Sequence, residues 1–354
     1  MTTETIENDQ ARTLLASAEE TERHNRPTAE NLEVVRRHGA FALRTPERFG
    51  GAWANATTVA GRLAELGRYC PSTAWIAGTC LTAKTFAAEA FGDAVPRDLF
   101  ADPDALACGS GIPSGSGERT PDGVRVNGRW PYVSGCEDAT WAGLAVLIDG
   151  TYTYAVIPTA ELTVERTWRV AGMRGTGSHT LVARDVLVPA GLTAAVRPPV
   201  PATLVFYGIA VLAPVAGAAR GALDVTNAMF ASDRKPSMTA YARMGDSPAA
   251  RQWLAEATLL VDRADRTMFA AARAVDAAGV TGADSARLHL DLADAAQDCR
   301  SAVELMLDLH GASGFAAANP LQRYWRDIAV GSRHAHLRPY MAVENYGQAL
   351  AGQA

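Results

Sequence analysis

The spacing of apolar residues changes twice along this chain, and the two changes fix the order of its parts. Up to about residue 104, apolar side chains recur at intervals of three and four, as in AENLEVVRRHGA (29–40), stopped by Gly39, and in TTVAGRLAELGRYC (57–70). That interval builds amphipathic helices. From Leu106 to about Pro189 the interval shortens to two, and the turn pairs Asp122-Gly123, Asn127-Gly128 and Asp149-Gly150 separate runs such as WAGLAVLI and TYTYAVIP. Short strands joined by tight turns read this way. After the proline-rich joint VRPPVPA (196–202) the helical interval returns, with Ser247-Pro248 and Asn319-Pro320 as cap-plus-proline starts, Gly279 as a stop and Asp284 as another start. The expected fold is α+β: an N-terminal helical domain (1–104), a small central β-barrel or sandwich (105–195) and a C-terminal four-helix bundle (196–354).

The totals narrow the function classes. The 354 residues carry 33 Lys and Arg against 38 Asp and Glu, a net charge of −5. Nucleic acid and anionic lipid both require a basic footprint, so neither is an expected partner. Five cysteines without CxxC spacing, in a chain too long to need disulfide staples, point to a reducing compartment. The acidic start MTTETIENDQ is unlike an export signal, and the expected location is the cytoplasm. Residues 202–219, ATLVFYGIAVLAPVAGAA, run for 18 positions without a charge, at the lower edge of membrane-spanning length. Gly208, Pro214 and Gly217 interrupt the run and no basic cluster precedes it, so it reads as a helix buried in a soluble bundle, with no membrane.

Three stretches could carry chemistry. In GRWPYVSGCEDATWAG (128–143), a regular strand places Trp130, Tyr132 and Ser134 on one face. Aromatic walls beside one hydroxyl suit a flat conjugated ligand such as an isoalloxazine; the same rings would equally fill a barrel core. Cys136 reads as a buried small residue. In GMRGTGS (172–178), three glycines and two hydroxyls could bring backbone N–H groups and Ser178 against a phosphate or ribityl chain. The stretch has neither the P-loop ending nor the Rossmann glycine spacing, and His179 beside it reads as a solvated turn residue.

The third stretch runs from Leu309 to Tyr340. A regular helix from Pro320 places Asp327 and His334 on one face, and puts His334 and His336 on opposite sides. No metal site is expected there, because no Cys, Asp or Glu completes a ligand set. Arg326-Asp327 reads as a structural ion pair or helix-surface contact. The chain has no G-x-S-x-G nucleophile elbow, so acyl transfer is not supported.

Taken in order, RTPERFGG (44–51), PSTAW (71–75), VNGRWPYVSG (126–135), GMRGTGSHTLVARDVLVP (172–189), GASGF with NPLQRYWRDIAVGSRH (311–334) and ENYGQALAG (344–352) resemble the acyl-CoA dehydrogenase superfamily. They are closer to its flavin-dependent monooxygenase branch, the oxygenase half of two-component hydroxylases. The resemblance covers some 300 residues and implies the same three-part fold, assembled as a homotetramer with flavin between domains near a subunit boundary.

It further implies Trp130, Ser134 and Gly135 along the flavin with the Ser134 hydroxyl near N5, Thr176, Gly177 and Ser178 near the flavin or its chain, and Arg243 at the phosphate. Gly311, Ser313 and Gly314 would meet the flavin tail, including that of a neighbouring subunit, while Trp75, Cys80 and His336 would line the substrate pocket. His334 would act as the base. The implied activity is that of a monooxygenase: reduced FMN or FAD, supplied by a separate NAD(P)H:flavin reductase, reacts with O₂ to give a C4a-hydroperoxide that oxygenates a small, biosynthetic organic molecule.

Two departures matter. Ala335 stands where dehydrogenases of this kind carry a catalytic glutamate, and no carboxylate lies between Arg333 and Tyr340. A histidine that monooxygenases of the branch often carry after the "AW" tryptophan is missing, and Cys80, Thr82 and Lys84 occupy that region. The alternatives are an atypical acyl-CoA dehydrogenase-like flavoenzyme and a non-catalytic scaffold of the same fold.

Overall fold

A computed structural model of the chain describes residues 6–352. Five helices come first: α1 (Asn8–Ala16), α2 (Ala18–His24), α3 (Ala29–Arg37), α4 (Ala56–Tyr69) and α5 (Pro71–Phe91). The side chains of Thr28 and Asn55 cap α3 and α4 by accepting the N–H of Asn31 and Thr58, and Pro71 occupies the first turn of α5. α5 is buried along nearly its whole length, including Lys84, whose ammonium donates to Phe41 O (2.8 Å), Thr45 Oγ1 (3.1 Å) and Pro103 O (2.7 Å). Three acceptors are what a buried ammonium needs, and they pin the loop after α3 and the segment at Pro103 to this helix.

Seven strands follow: β1 (Ala107–Thr120), β2 (Gly123–Val133), β3 (Trp141–Ile148), β4 (Thr151–Pro158), β5 (Thr163–Glu165), β6 (His179–Val188) and β7 (Thr193–Ala195). They form one sheet in the order β5-β6-β2-β1-β3-β4-β7, antiparallel throughout except for the β1–β3 pair. Val124, Val126 and Trp130 of β2 alternate inward, as a half-buried strand requires.

The last part is α6 (Pro201–Ala231), α7 (Pro248–Asp276), α8 (Gly282–His310), α9 (Pro320–Gly331) and α10 (Pro339–Leu350). α6, α7, α8 and α10 make the bundle, and α9 packs beside α6 and α8. Ser247 and Asn319 cap α7 and α9 with a following proline. α8 starts at Gly282 rather than at Asp284: Thr281 is the cap, and Asp284 is its reciprocal partner in a capping box. Among the described residues α6 is the one helix long and apolar enough to cross a membrane, and 89% of its most apolar stretch is buried inside the protein. Its backbone lies so close to α4 that a Cβ at Gly217 would stand 2.1 Å from Ala64 O. Only a residue without a side chain allows that approach.

Candidate active site

Ser134 reaches its position through an irregularity in β2. Trp130 pairs with Leu181 and Val133 with His179, so β2 spends three residues where β6 spends two. The extra residue is a bulge, and it falls at Tyr132, whose φ is +63° and whose ring is 72% exposed. Alternation therefore reverses. Trp130, Tyr132 and Ser134 do not share a face: Trp130 stays in the sheet core, its indole N–H donating to Ala145 O at 2.8 Å, while Tyr132 turns to the surface against Trp168. Ser134 turns toward α5, where Trp75 Nε1 donates to its oxygen at 3.2 Å.

From there a chain of hydroxyls runs through the GMRGTGS loop. Ser134 and Ser178 are 2.8 Å apart, Ser178 and Thr176 2.7 Å, and the Thr176 hydroxyl lies 2.8 Å from Met173 O. The proton positions follow from the last contact. A carbonyl has no proton, so the Thr176 hydroxyl donates to it; Ser178 must then donate to Thr176, and Ser134 to Ser178. Trp75 can only donate. Ser134 thus faces any further partner as an acceptor. All four side chains are buried, and the backbone beside them is tied by Gly135 N–H donating to Thr176 O at 2.8 Å, with Gly135 (φ +70°) and Gly177 (φ +50°) both left-handed.

The loop itself is clamped to α9. A Cβ on Gly172 would lie 2.0 Å from Arg326 O, and Asp327 Oδ1 accepts the Met173 N–H. Arg326 pairs with Glu22 of α2 rather than with Asp327. Burial pushes the Asp327 carboxyl up to about 6, against the downward pull of the Met173 N–H. His179 is buried, not solvated: its Nδ1 accepts the Trp168 N–H at 3.1 Å, and its Nε2 stands 3.6 Å from Glu137.

α9 ends at Gly331, so His334 lies beyond it and does not share a helical face with Asp327. Its ring meets Trp75 edge-on, with centroids 5.4 Å apart, and lies 5.5 Å from His336. The two imidazoles therefore sit side by side, not on opposite sides of a helix. His336 continues the row to Tyr207 (6.1 Å) and to His289 (6.2 Å). Burial pushes His334 down to about 4, with the Arg338 charge adding to it, and pushes His336 down to about 3. Both rings are neutral at pH 7. The His336 N–H donates to His334 Nδ1, which leaves the proton of His334 on Nε2. No group of three metal-ligating side chains occurs among the described residues. A cavity of about 430 Å³ opens beside His336 and His289, walled by Leu204, Ala286, Met341 and Asn345.

The structure thus brings together Trp75, Ser134, Gly135, Thr176, Gly177, Ser178, His334 and His336. It separates the others. Cys80 faces β1, where its sulfur accepts the Ala107 N–H, on the far side of α5 from the cluster. Gly311, Ser313 and Gly314 follow the C-terminus of α8, roughly 30 Å along that helix from His289. There Arg234 donates to Ser313 Oγ and to His310 O, both at 2.6 Å, and Arg243 is exposed on the segment before α7. Sequence reasoning missed Tyr207 and His289. The signal for Tyr207 was available, since it is the one hydroxyl side chain in the uncharged stretch after Thr203.

The family model described as acyl-CoA dehydrogenase, C-terminal domain, matches residues 209–339. The chain is 29% identical to the flavin-dependent monooxygenase, oxygenase subunit HsaA, of Rhodococcus jostii (strain RHA1), over 95% of this chain and 94% of that protein. It is 28% identical to the FADH(2)-dependent resorcinol hydroxylase, oxygenase component, of Rhizobium sp. (strain MTP-10005), over 95% and 91%. Among solved structures, XiaF from Streptomyces sp. in complex with FADH2 and glycerol superposes with a TM-score of 0.91 at 29% identity, covering 97% of this chain and 93% of that one.

Proposed function

We propose that the chain is a member of the acyl-CoA dehydrogenase superfamily, in its flavin-dependent monooxygenase branch, and acts as the oxygenase component of a two-component monooxygenase, taking reduced flavin from a separate reductase and oxygenating a small organic molecule. The observation that carries this reading is the ordered hydroxyl chain ending in Ser134. Its residues fit the group. Ser134 offers a lone pair and no proton, which matches the N–H that reduced flavin carries at N5 and opposes the bare N5 of oxidised flavin. Thr176, Ser178 and the backbone at Gly135 and Gly177 would hold the ring and its chain. When bound, reduced flavin supplies the electrons that activate O₂, one oxygen atom going to substrate and the other leaving as water.

The protein's own part is positioning and proton control. Trp75 fixes Ser134 by donating to it and shields it from water by burial. His334, held neutral with its proton on Nε2, presents a donor beside the Trp75 ring. With its pKa near 4 it is a hydrogen-bond donor rather than the near-neutral base expected for it. Dehydrogenation lacks an evident base: Ala335 carries none, Asp327 is turned to Met173, and Glu89 is engaged by the Thr203 hydroxyl.

The choice between FMN and FAD, the homotetramer and the cytoplasmic location belong to the same proposal. Five free, buried thiols support a reducing compartment. A role for the Gly311–Gly314 loop with a flavin tail, including that of a neighbouring copy, belongs to the same proposal.

The test mixes anaerobic protein and chemically reduced FMN or FADH₂ with oxygenated buffer, while the return of oxidised-flavin absorbance is recorded. A delayed, two-phase return is expected. A single phase at the free-flavin rate would overturn the reading.

A further inference from the structure

Beyond the cluster at Ser134, the seam between the sheet and the C-terminal helices continues along α5. Trp75, Thr79, Thr82 and Phe86 follow one another at intervals of four, three and four, and form one stripe along the helix. Thr79, Thr82 and Phe86 are only half-buried, in a helix whose other residues from Pro71 to Ala87 are buried. The Thr79 and Thr82 hydroxyls donate back to Ile76 O (3.1 Å) and Thr79 O (2.8 Å), and the Phe86 ring lies 4.5 Å from Tyr154 of β4. Across the seam α6 presents Tyr207, its ring between Phe206 and His336, with centroids 6.2 Å and 6.1 Å away.

The Tyr207 hydroxyl is buried and has no hydrogen-bond partner among the described residues. The polar groups that act on it are engaged elsewhere. Tyr152 donates to Gly111 O at 2.6 Å, and Glu89 accepts from the Thr203 hydroxyl at 2.8 Å. Arg44 donates to Thr85 Oγ1 (3.0 Å) and Ala54 O (2.9 Å), with its guanidinium between the Trp53 and Phe206 rings. A buried hydroxyl without a partner costs about 1–3 kcal/mol, so a fold that keeps one gains from what it later binds. Burial holds the phenol protonated, which makes it a donor. The neighbouring imidazoles are neutral, the Arg44 guanidinium is already satisfied, and Arg338 near His334 is exposed to solvent.

We propose that Tyr207 is the residue that recognises substrate: the seam takes a flat, uncharged aromatic molecule, and the Tyr207 hydroxyl donates to a hydroxyl or carbonyl oxygen on it. This deepens the oxygenase reading of the same site and rests on that reading only for what happens to the bound molecule. Tyr207 takes the part of a specificity residue, in a pocket without the upstream histidine.

Equilibrium dialysis of the full chain, without flavin, against β-naphthol, its methyl isostere β-methylnaphthalene and the anion β-naphthoate tests it. The native chain is expected to hold the naphthol about tenfold more tightly than the methyl compound, about 1.4 kcal/mol. Tyr207→Phe should weaken the naphthol to within about twofold of the methyl compound while leaving the methyl compound unchanged. Its melting temperature should not fall, because the substitution removes an unpaired buried hydroxyl. A preference that survives in Tyr207→Phe, naphthoate binding as tightly as naphthol, or no binding of either neutral probe to the native chain would each overturn the proposal. Because no flavin is present, these outcomes are independent of whether reduced flavin reacts.

Discussion

The two ends of α8 solve opposite problems. At the end near His289, the side chains from Trp75 to Thr176 are buried and their hydroxyl protons are ordered by a single carbonyl. At the other end, around His310 and the Gly311–Gly314 loop, Ser313 donates to His310 O and accepts from Arg234 at a partly exposed surface, and the buried Nε2 of His310 has no partner. The first arrangement fixes one geometry and one hydrogen-bond polarity before any ligand arrives. The second can exchange partners at small cost. Preorganisation belongs where a reaction is controlled, and adaptable contacts suffice where a ligand is merely held.

This contrast can be broken at three points. The largest effect is expected from Gly172→Ala, whose new Cβ would meet the Arg326 carbonyl and force the 172–178 loop off α9. A loss of about 3 kcal/mol in urea unfolding, together with loss of reduced-flavin binding, is expected. Native-like stability with native affinity would show that the clamp does not set the site.

Next is Thr176→Val, which removes the acceptor at the end of the hydroxyl chain and frees Ser134 to donate. The native chain should bind reduced flavin at least about tenfold more tightly than oxidised flavin, and the variant should narrow that ratio several-fold, as one mismatched hydrogen bond implies. Anaerobic titration with each redox state reads the ratio, and an unchanged value would remove the proton order from the account. The smallest effect belongs to Ser313→Ala, at the adaptable end. Stability should change by less than about 0.5 kcal/mol and reduced FMN should bind as before. FADH₂ affinity should fall about threefold, and parallel titrations with the two flavins would expose any deviation.

Much of this was legible in the sequence. The change of period gave the order of helices and strands, because patterning acts over many residues and survives local irregularity. The site was harder, because each misplacement came from a single-residue event. One extra residue at Tyr132 reversed the face of Ser134, and no pattern marks a left-handed tyrosine. The helix ended at Gly331 three residues before His334, so an argument from helical spacing failed there. Cys80 could have been placed correctly: five residues after Trp75 is about 140° around the helix, which turns it away. Tyr207 was visible as the one hydroxyl after Thr203 in the uncharged stretch, but only the packed seam shows that this hydroxyl is left without a partner.

The apolar character of α6 has a consequence for handling the protein. The most apolar stretch of this helix, long and apolar enough for a bilayer span, is kept from water by its neighbours over 89% of its residues. Once heat or denaturant parts those neighbours, exposed copies of this helix will adhere to one another faster than the chain can re-form. Melting is therefore expected to be one-way, with turbidity following loss of structure. The shelf life of the protein would then follow the rate at which it opens rather than any equilibrium constant.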